Sequence, residues 1–235
     1  IQARGLQLRS GNSELSADGH PGAPDGLTVQ ARIASLADLA DGASGAFNGS
    51  ATVSLNPARP LLRLDGNGEQ LVWGDMAIGQ LALSTDPTGE AGSRLELREV
   101  ALNGLRMDSL TAVTGGRQPL ERLDARIESR EGIVTLRLAG AMRDWSAPLT
   151  GGWRGRLESL RLERSVPGLV EKRSFELLEP AALSLDAGGA SLAEACFSVS
   201  PAGRLCLESD WRADAERTLS ASLDDVSPSL ALNLL

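Results

Sequence analysis

The residue types able to do covalent or acid–base chemistry are few, and their spacing is wrong for it. The single histidine, His20, stands between Gly19 and Pro21 in a turn-like stretch. It has no second imidazole to share a metal with and no nucleophile beside it. Lys172 is the only lysine, and no motif pairs it with a serine. Asp65, Asp75, Asp108, Asp124, Asp144, Asp210, Asp224 and Asp225 are scattered over turns and polar positions, where solvated carboxylates are ordinary. Acid–base hydrolysis needs two of them fixed across a cleft. Asp65-Gly66-Asn67-Gly68-Glu69 lacks the spaced ligands and closing glutamate of a calcium loop. The glycine-rich runs lack the lysine and following helix of a phosphate loop. The chain reads as non-enzymatic, with no metal and no cofactor.

Cys196 and Cys206 frame CFSVSPAGRLC, two alternating arms around a Ser-Pro-Ala-Gly turn signal, which reads as a hairpin. A turn centred on Pro201 places the cysteines opposite each other and permits a bridge. A turn one residue longer puts the sulfurs on opposite faces and leaves two small thiols. Closing so short a loop contributes about 3 kcal/mol in the chain-entropy treatment.

Composition narrows the partners. Acidic residues outnumber basic ones 31 to 23, for a net charge of −8, so the chain repels a phosphate backbone and nucleic acid is excluded as a partner. The 42% hydrophobic fraction is carried by leucine, with only Phe 3, Trp 4 and Tyr 0. That favours many thin, similar strands over one globular core built round large rings. Rings for stacking sugars are scarce, which argues against a glycan-active enzyme. No apolar run approaches the roughly 18 residues needed to span a bilayer. The opening IQARGLQLRS has neither a basic n-region nor an apolar h-region, so the sequence reads as a piece of a longer chain.

The elements that must position any site are strands. From Gly45, Phe47, Gly49, Ala51, Val53 and Leu55 alternate with polar or small residues at period two. The same alternation returns in Leu27–Ile33, Leu95–Leu97, Leu123–Ile127, Val134–Leu138 and Leu219–Leu223. Each arm ends in turn-forming Gly, Pro, Asn or Asp. Two segments interrupt the pattern. A short helix is expected near 35–41, with Ser35 as cap and Gly42 as stop, and 157–169 fits helix or strand and is read as strand. The whole of 1–235 reads as one continuous segment, with a soft joint near 140–152. The expected fold is all-β: a long, mostly antiparallel, curled sheet, groove-like and open or partly closed.

A sheet apolar on one face must cover that face, close on itself, or curl round something apolar. The first two solutions are an ordinary sandwich or barrel core. The third is a groove lined by flexible aliphatic side chains, a lining suited to disordered acyl tails. Its candidate lining residues are Val53, Leu55, Leu64, Ile78, Leu83, Leu97, Ile127, Leu136, Leu138, Leu185, Phe197, Leu207 and Leu223.

The stretch FELLEPAALSLDAGGASLAEACFSVSPAGRLCLESDW, Phe175 to Trp211, resembles the TamB family of the AsmA-like superfamily. The matching hairpin pattern, CxxxxxxGxLCLxxxW, falls on Cys196, Gly203, Leu205, Cys206, Leu207 and Trp211. GSATVSLNPARPLLRLDGNGEQLVWGDMAIGQLALS resembles the strand phrasing of the same proteins. The resemblance implies an internal periplasmic portion of a chain anchored in the inner membrane outside this segment, with a β-taco body and a hydrophobic inside. It further implies transport of phospholipid between the two membranes of a Gram-negative cell. A TamA-like outer-membrane barrel would be the partner, reached through parts of the full-length chain not present here. A bridge between Cys196 and Cys206 suits that oxidising compartment. The alternative is a scaffold or chaperone that assists outer-membrane protein assembly through an exposed sheet edge.

Overall fold

The computed structural model describes residues 2–54, 61–85, 92–115, 121–142, 152–164, 173–200, 202–212 and 217–225. Leu55, Asp144, Lys172 and Pro201, named above, lie outside the described residues, as do 143–151 of the expected joint and 165–169 of the ambiguous segment. The rest of that segment, 157–164, is strand. All-β architecture is what the alternation implies, and sixteen strands are found among the described residues, with antiparallel ladders inside each of the two units given below. The chain divides into two compact units, 1–115 and 116–235.

Unit 1 is a meander of β1 (Ala3–Ser10), β2 (Ser13–Gly19), β3 (Leu27–Ile33), β4 (Ala43–Ser54), β5 (Leu61–Trp73), β6 (Met76–Thr85), β7 (Ser93–Leu102) and β8 (Leu105–Gly115). Its register shows why the alternating residues fold this way. Leu8, Leu15, Ala31, Gly49, Gly66, Leu83, Leu95 and Ala112 are successive partners across all eight strands. The adjacent row, Arg9, Glu14, Arg32, Asn48, Asn67, Ala82, Glu96 and Thr111, is almost wholly polar. One face is therefore apolar and the other polar, because neighbouring positions on a strand point to opposite faces.

The expected helix is a single 3-10 turn, Leu36–Asp38. Ser35 occupies the cap position without a side-chain hydrogen bond, and Gly42 follows with φ +76°. Ser13 anchors the turn instead. Its buried hydroxyl donates to Asp38 Oδ2 at 3.0 Å and accepts from the Ala34 amide at 3.1 Å.

A crease runs across unit 1 where one residue is inserted into each alternating run. On β6 the apolar positions step from Leu83 and Leu81 to Ile78, and on β7 from Leu95 and Leu97 to Val100. The inserted residues are Gln70, Gly79, Glu99 and Asp108, which fall opposite one another between the paired positions. Gln70 and Glu99 take left-handed φ of 51° and 54°, so each absorbs the phase change locally. Gly45, assigned to the apolar face by strict alternation, instead sits at the bulge between β4 and β5 with φ +103°.

Unit 2 holds β9 (Arg122–Ser129), β10 (Gly132–Met142), β11 (Trp153–Arg164), β12 (Arg173–Leu177), β13 (Ala181–Asp186), β14 (Gly189–Val199), β15 (Arg204–Arg212) and β16 (Thr218–Asp224). Strands β12 and β13 are two halves of one interrupted strand. Between β11 and β14, β12 pairs with 161–164 and 197–199, and β13 with 153–157 and 189–192. The break falls at Leu178-Glu179-Pro180, where proline has no N–H to give a ladder. The Leu178 amide there donates to the Cys196 carbonyl at 2.8 Å.

Candidate functional site

The apolar faces are the feature that the fold builds with most residues. In unit 1, Val53, Leu64, Ile78, Leu83 and Leu97 share one face, since Ala51 pairs with Leu64, Leu27 with Val53, Leu81 with Leu97 and Ile78 with Val100. In unit 2, Ile127, Leu136, Leu138, Leu185, Phe197, Leu207 and Leu223 share one face. The chain of pairs runs from Ile127 through Val134, Leu162, Phe175 and Val199, and the neighbouring rows pair Ala125 with Leu136, Trp153 with Leu185, and Leu205 with both Phe197 and Leu223.

Depth differs along those faces. Ile78 and Phe197 are buried, Leu185 and Leu223 are exposed, and the other described candidates are half-buried. Phe197 packs with Ala181 and Ala195 in a small core, beneath Leu160, Leu177, Leu192 and Leu207. A sealed two-layer core would bury leucines such as Leu83, Leu97 and Leu136, whereas each of these remains half-buried. The exposed large apolar residues of unit 1 include Trp73, Met76, Leu102 and Leu105, which pair in sequence at the tight-turn ends of β5 to β8. They lie on the apolar face and extend it to the end of the sheet, a row that face alternation alone does not distinguish from core.

The opposite faces carry short-range ion pairs. Glu96 bonds Arg94, Glu128 bonds Arg126 at 2.7 Å, and Glu163 bonds Arg161 at 2.9 Å. Asp124 bridges Arg137 Nε at 2.6 Å and Arg122 Nε at 3.0 Å. The hydrogen bond and charge of Asp124 hold the exposed Arg137 guanidinium above its ordinary pKa. These pairs are solvent-screened and serve the polar face rather than an active centre.

Cys196 pairs directly with Cys206 across β14 and β15, and the two sulfurs are bonded. The register is that of a turn placed so that both cysteines share a face, and Val199 N donates to the Gly203 carbonyl at 2.9 Å just outside the turn. The bridge lies on the polar face, back to back with Phe197 and Leu207, and Arg204 Nη2 is 3.2 Å from Cys196 Sγ. Glu194 is the third potential metal ligand near the two sulfurs, but sulfurs bonded to each other leave it without thiolate partners.

Among the described residues no helix is long and apolar enough to cross a membrane. The family described as TamB, N-terminal domain, matches residues 1–233. No curated protein and no solved structure matches the chain.

Proposed function

Because the chain belongs to the TamB family, we propose that it is a non-enzymatic section of a periplasmic lipid conduit, whose apolar sheet faces carry phospholipid acyl chains between the inner and outer membranes. The observation that carries this reading is the half-buried aliphatic face. Leu83, Leu97 and Leu136 lie among apolar neighbours, yet are not sealed. Each acyl methylene moved from water onto such a face gains about 0.8 kcal/mol, so a tail of several methylenes is held without a headgroup site. A contact that is uniform along the face lets a tail slide. The disulfide supports an oxidising compartment, and the periplasm supplies one.

Leu97→Asp and Leu136→Asp test the reading. Each puts a carboxylate on the apolar face at a half-buried position, and each is expected to abolish lipid transfer while the sheet persists. A folded variant with undiminished transfer overturns the assignment of faces. Capture of an extended outer-membrane protein strand at a sheet edge, competed by β-peptide and not by lipid, would instead establish the assembly role.

A further inference from the structure

We infer that Phe47 and Trp153 set the clearance of the acyl path on their respective faces, by lying down over paired glycines. This inference rests on the conduit reading above. In unit 1, Gly49 on β4 is the register partner of Gly66 on β5, and Phe47 precedes Gly49 by two positions on the same face. A Cβ on Gly49 would stand 2.8 Å from Phe47 Cζ, and one on Gly66 2.9 Å from the same atom. The far edge of the ring thus covers both α-carbons, and only the absence of side chains there lets it lie so close.

The same arrangement occurs independently in unit 2. Gly140 on β10 pairs with Gly155 on β11, and Trp153 precedes Gly155 by two positions. Trp153 Cη2 would be 2.5 Å from a Cβ on Gly155, and its Cζ2 meets a Cβ on Gly140. Two aromatic-x-Gly segments, Phe47-Asn48-Gly49 and Trp153-Arg154-Gly155, each therefore fold a ring against a glycine of the neighbouring strand. A ring standing upright would rise above the leucines beside it. A ring laid along the strand adds little height and keeps its apolar surface available. The geometry suits a slender, linear chain passing across the sheet from Gly66 toward its register partner Leu83.

Gly66 is the position to perturb, because its φ is not left-handed and its backbone contact, the Asn48 carbonyl, lies at 3.3 Å. The closest obstacle to a new Cβ is the Phe47 ring, which can turn away. The experiment is in-cell photo-crosslinking of the full-length protein with a probe at Leu83, scoring adducts with the cell's own phospholipid. Gly66→Ala is expected to lower adduct yield about four-fold, the factor for losing one buried methylene at about 0.8 kcal/mol. Phe47→Ala combined with Gly66→Ala is expected to restore it. Phe47→Ile leaves both glycines intact, but its stiff β-branched side chain cannot lie down, and it is expected to lower the yield as Gly66→Ala does. Unchanged yield in Phe47→Ile overturns the inference even where Gly66→Ala does not fold. Absence of phospholipid adducts in the unsubstituted protein at Leu83, Leu97 and Leu136 alike overturns the conduit reading itself.

Discussion

Removing the Cys196–Cys206 bridge isolates what a crosslink on the polar face contributes to unit 2. The bridge spans a sequence separation of 10. A loop of that size, treated as a loss of chain entropy in the unfolded state, stabilises the fold by about 3 kcal/mol. Both sulfurs point away from Phe197 and Leu207, so replacing them by serine alters no apolar contact on the other face. Cys196→Ser/Cys206→Ser should therefore lower the stability of unit 2 by about 3 kcal/mol, read as a shift in its urea transition monitored by hydrogen exchange of β14 and β15. Below that transition, binding of lipid to the apolar face should be unaltered. Reducing agent should bring the unsubstituted protein down to the variant and leave the variant where it is. A loss under about 0.5 kcal/mol, or a loss that persists in reducing agent, would refute the account of the bridge as a constraint on the unfolded chain.

Other perturbations probe the rest of the fold. Phe197→Ala removes the largest member of the cluster with Ala181 and Ala195 and should cost unit 2 about 3 kcal/mol in chemical denaturation; a cost near zero would mean that the cluster is not packed. Ser13→Ala leaves the Ala34 amide without its acceptor and frees Asp38. It should destabilise unit 1 by about 1 to 3 kcal/mol, with faster amide exchange confined to 34–40. Gln70→Gly relieves a left-handed non-glycine backbone and should raise the stability of unit 1 by about 1 kcal/mol, whereas a drop would place the strain elsewhere. Arg137→Gln should leave the thermal midpoint unchanged. The solvated guanidinium has its pKa raised, so its contribution is complete below the ordinary arginine value and would fade only above it, beyond the range of a pH titration near neutrality.

The faces were legible in the sequence where alternation is unbroken. Leu27–Ile33 is a strand over those same residues, and Leu123–Ile127, Val134–Leu138 and Leu219–Leu223 each lie within one strand with their apolar residues on one side. The crease is not legible in the alternation, because each inserted residue changes the apolar spacing from two to three for a single step. Leu95, Leu97, Val100 and Leu102 show that spacing, as do Leu105, Met107, Leu110 and Ala112. Two of the residues absorbing it, Gln70 and Glu99, are not the glycines by which a bulge is usually recognised. Depth was also hidden. Period two assigns Phe197 and Leu223 to the same face, but Phe197 lies inside a strand-rich cluster while Leu223 sits on β16, where every residue is exposed. The glycine pairs beneath Phe47 and Trp153 carried a sequence signal, an aromatic two residues before a glycine, but only register shows that a second glycine stands across the ladder.

The most direct test of the central claim is site-specific photo-crosslinking in cells, with probes at Leu97 and Leu136 on the apolar faces and at Glu96 and Arg137 on the polar ones. The register places each pair back to back on one strand, so the comparison controls for position along the protein. Phospholipid adducts at Leu97 and Leu136 and none at Glu96 or Arg137 are the predicted result. Equal labelling of both faces, or adducts with unfolded outer-membrane protein in place of lipid at Leu97 and Leu136, would contradict it.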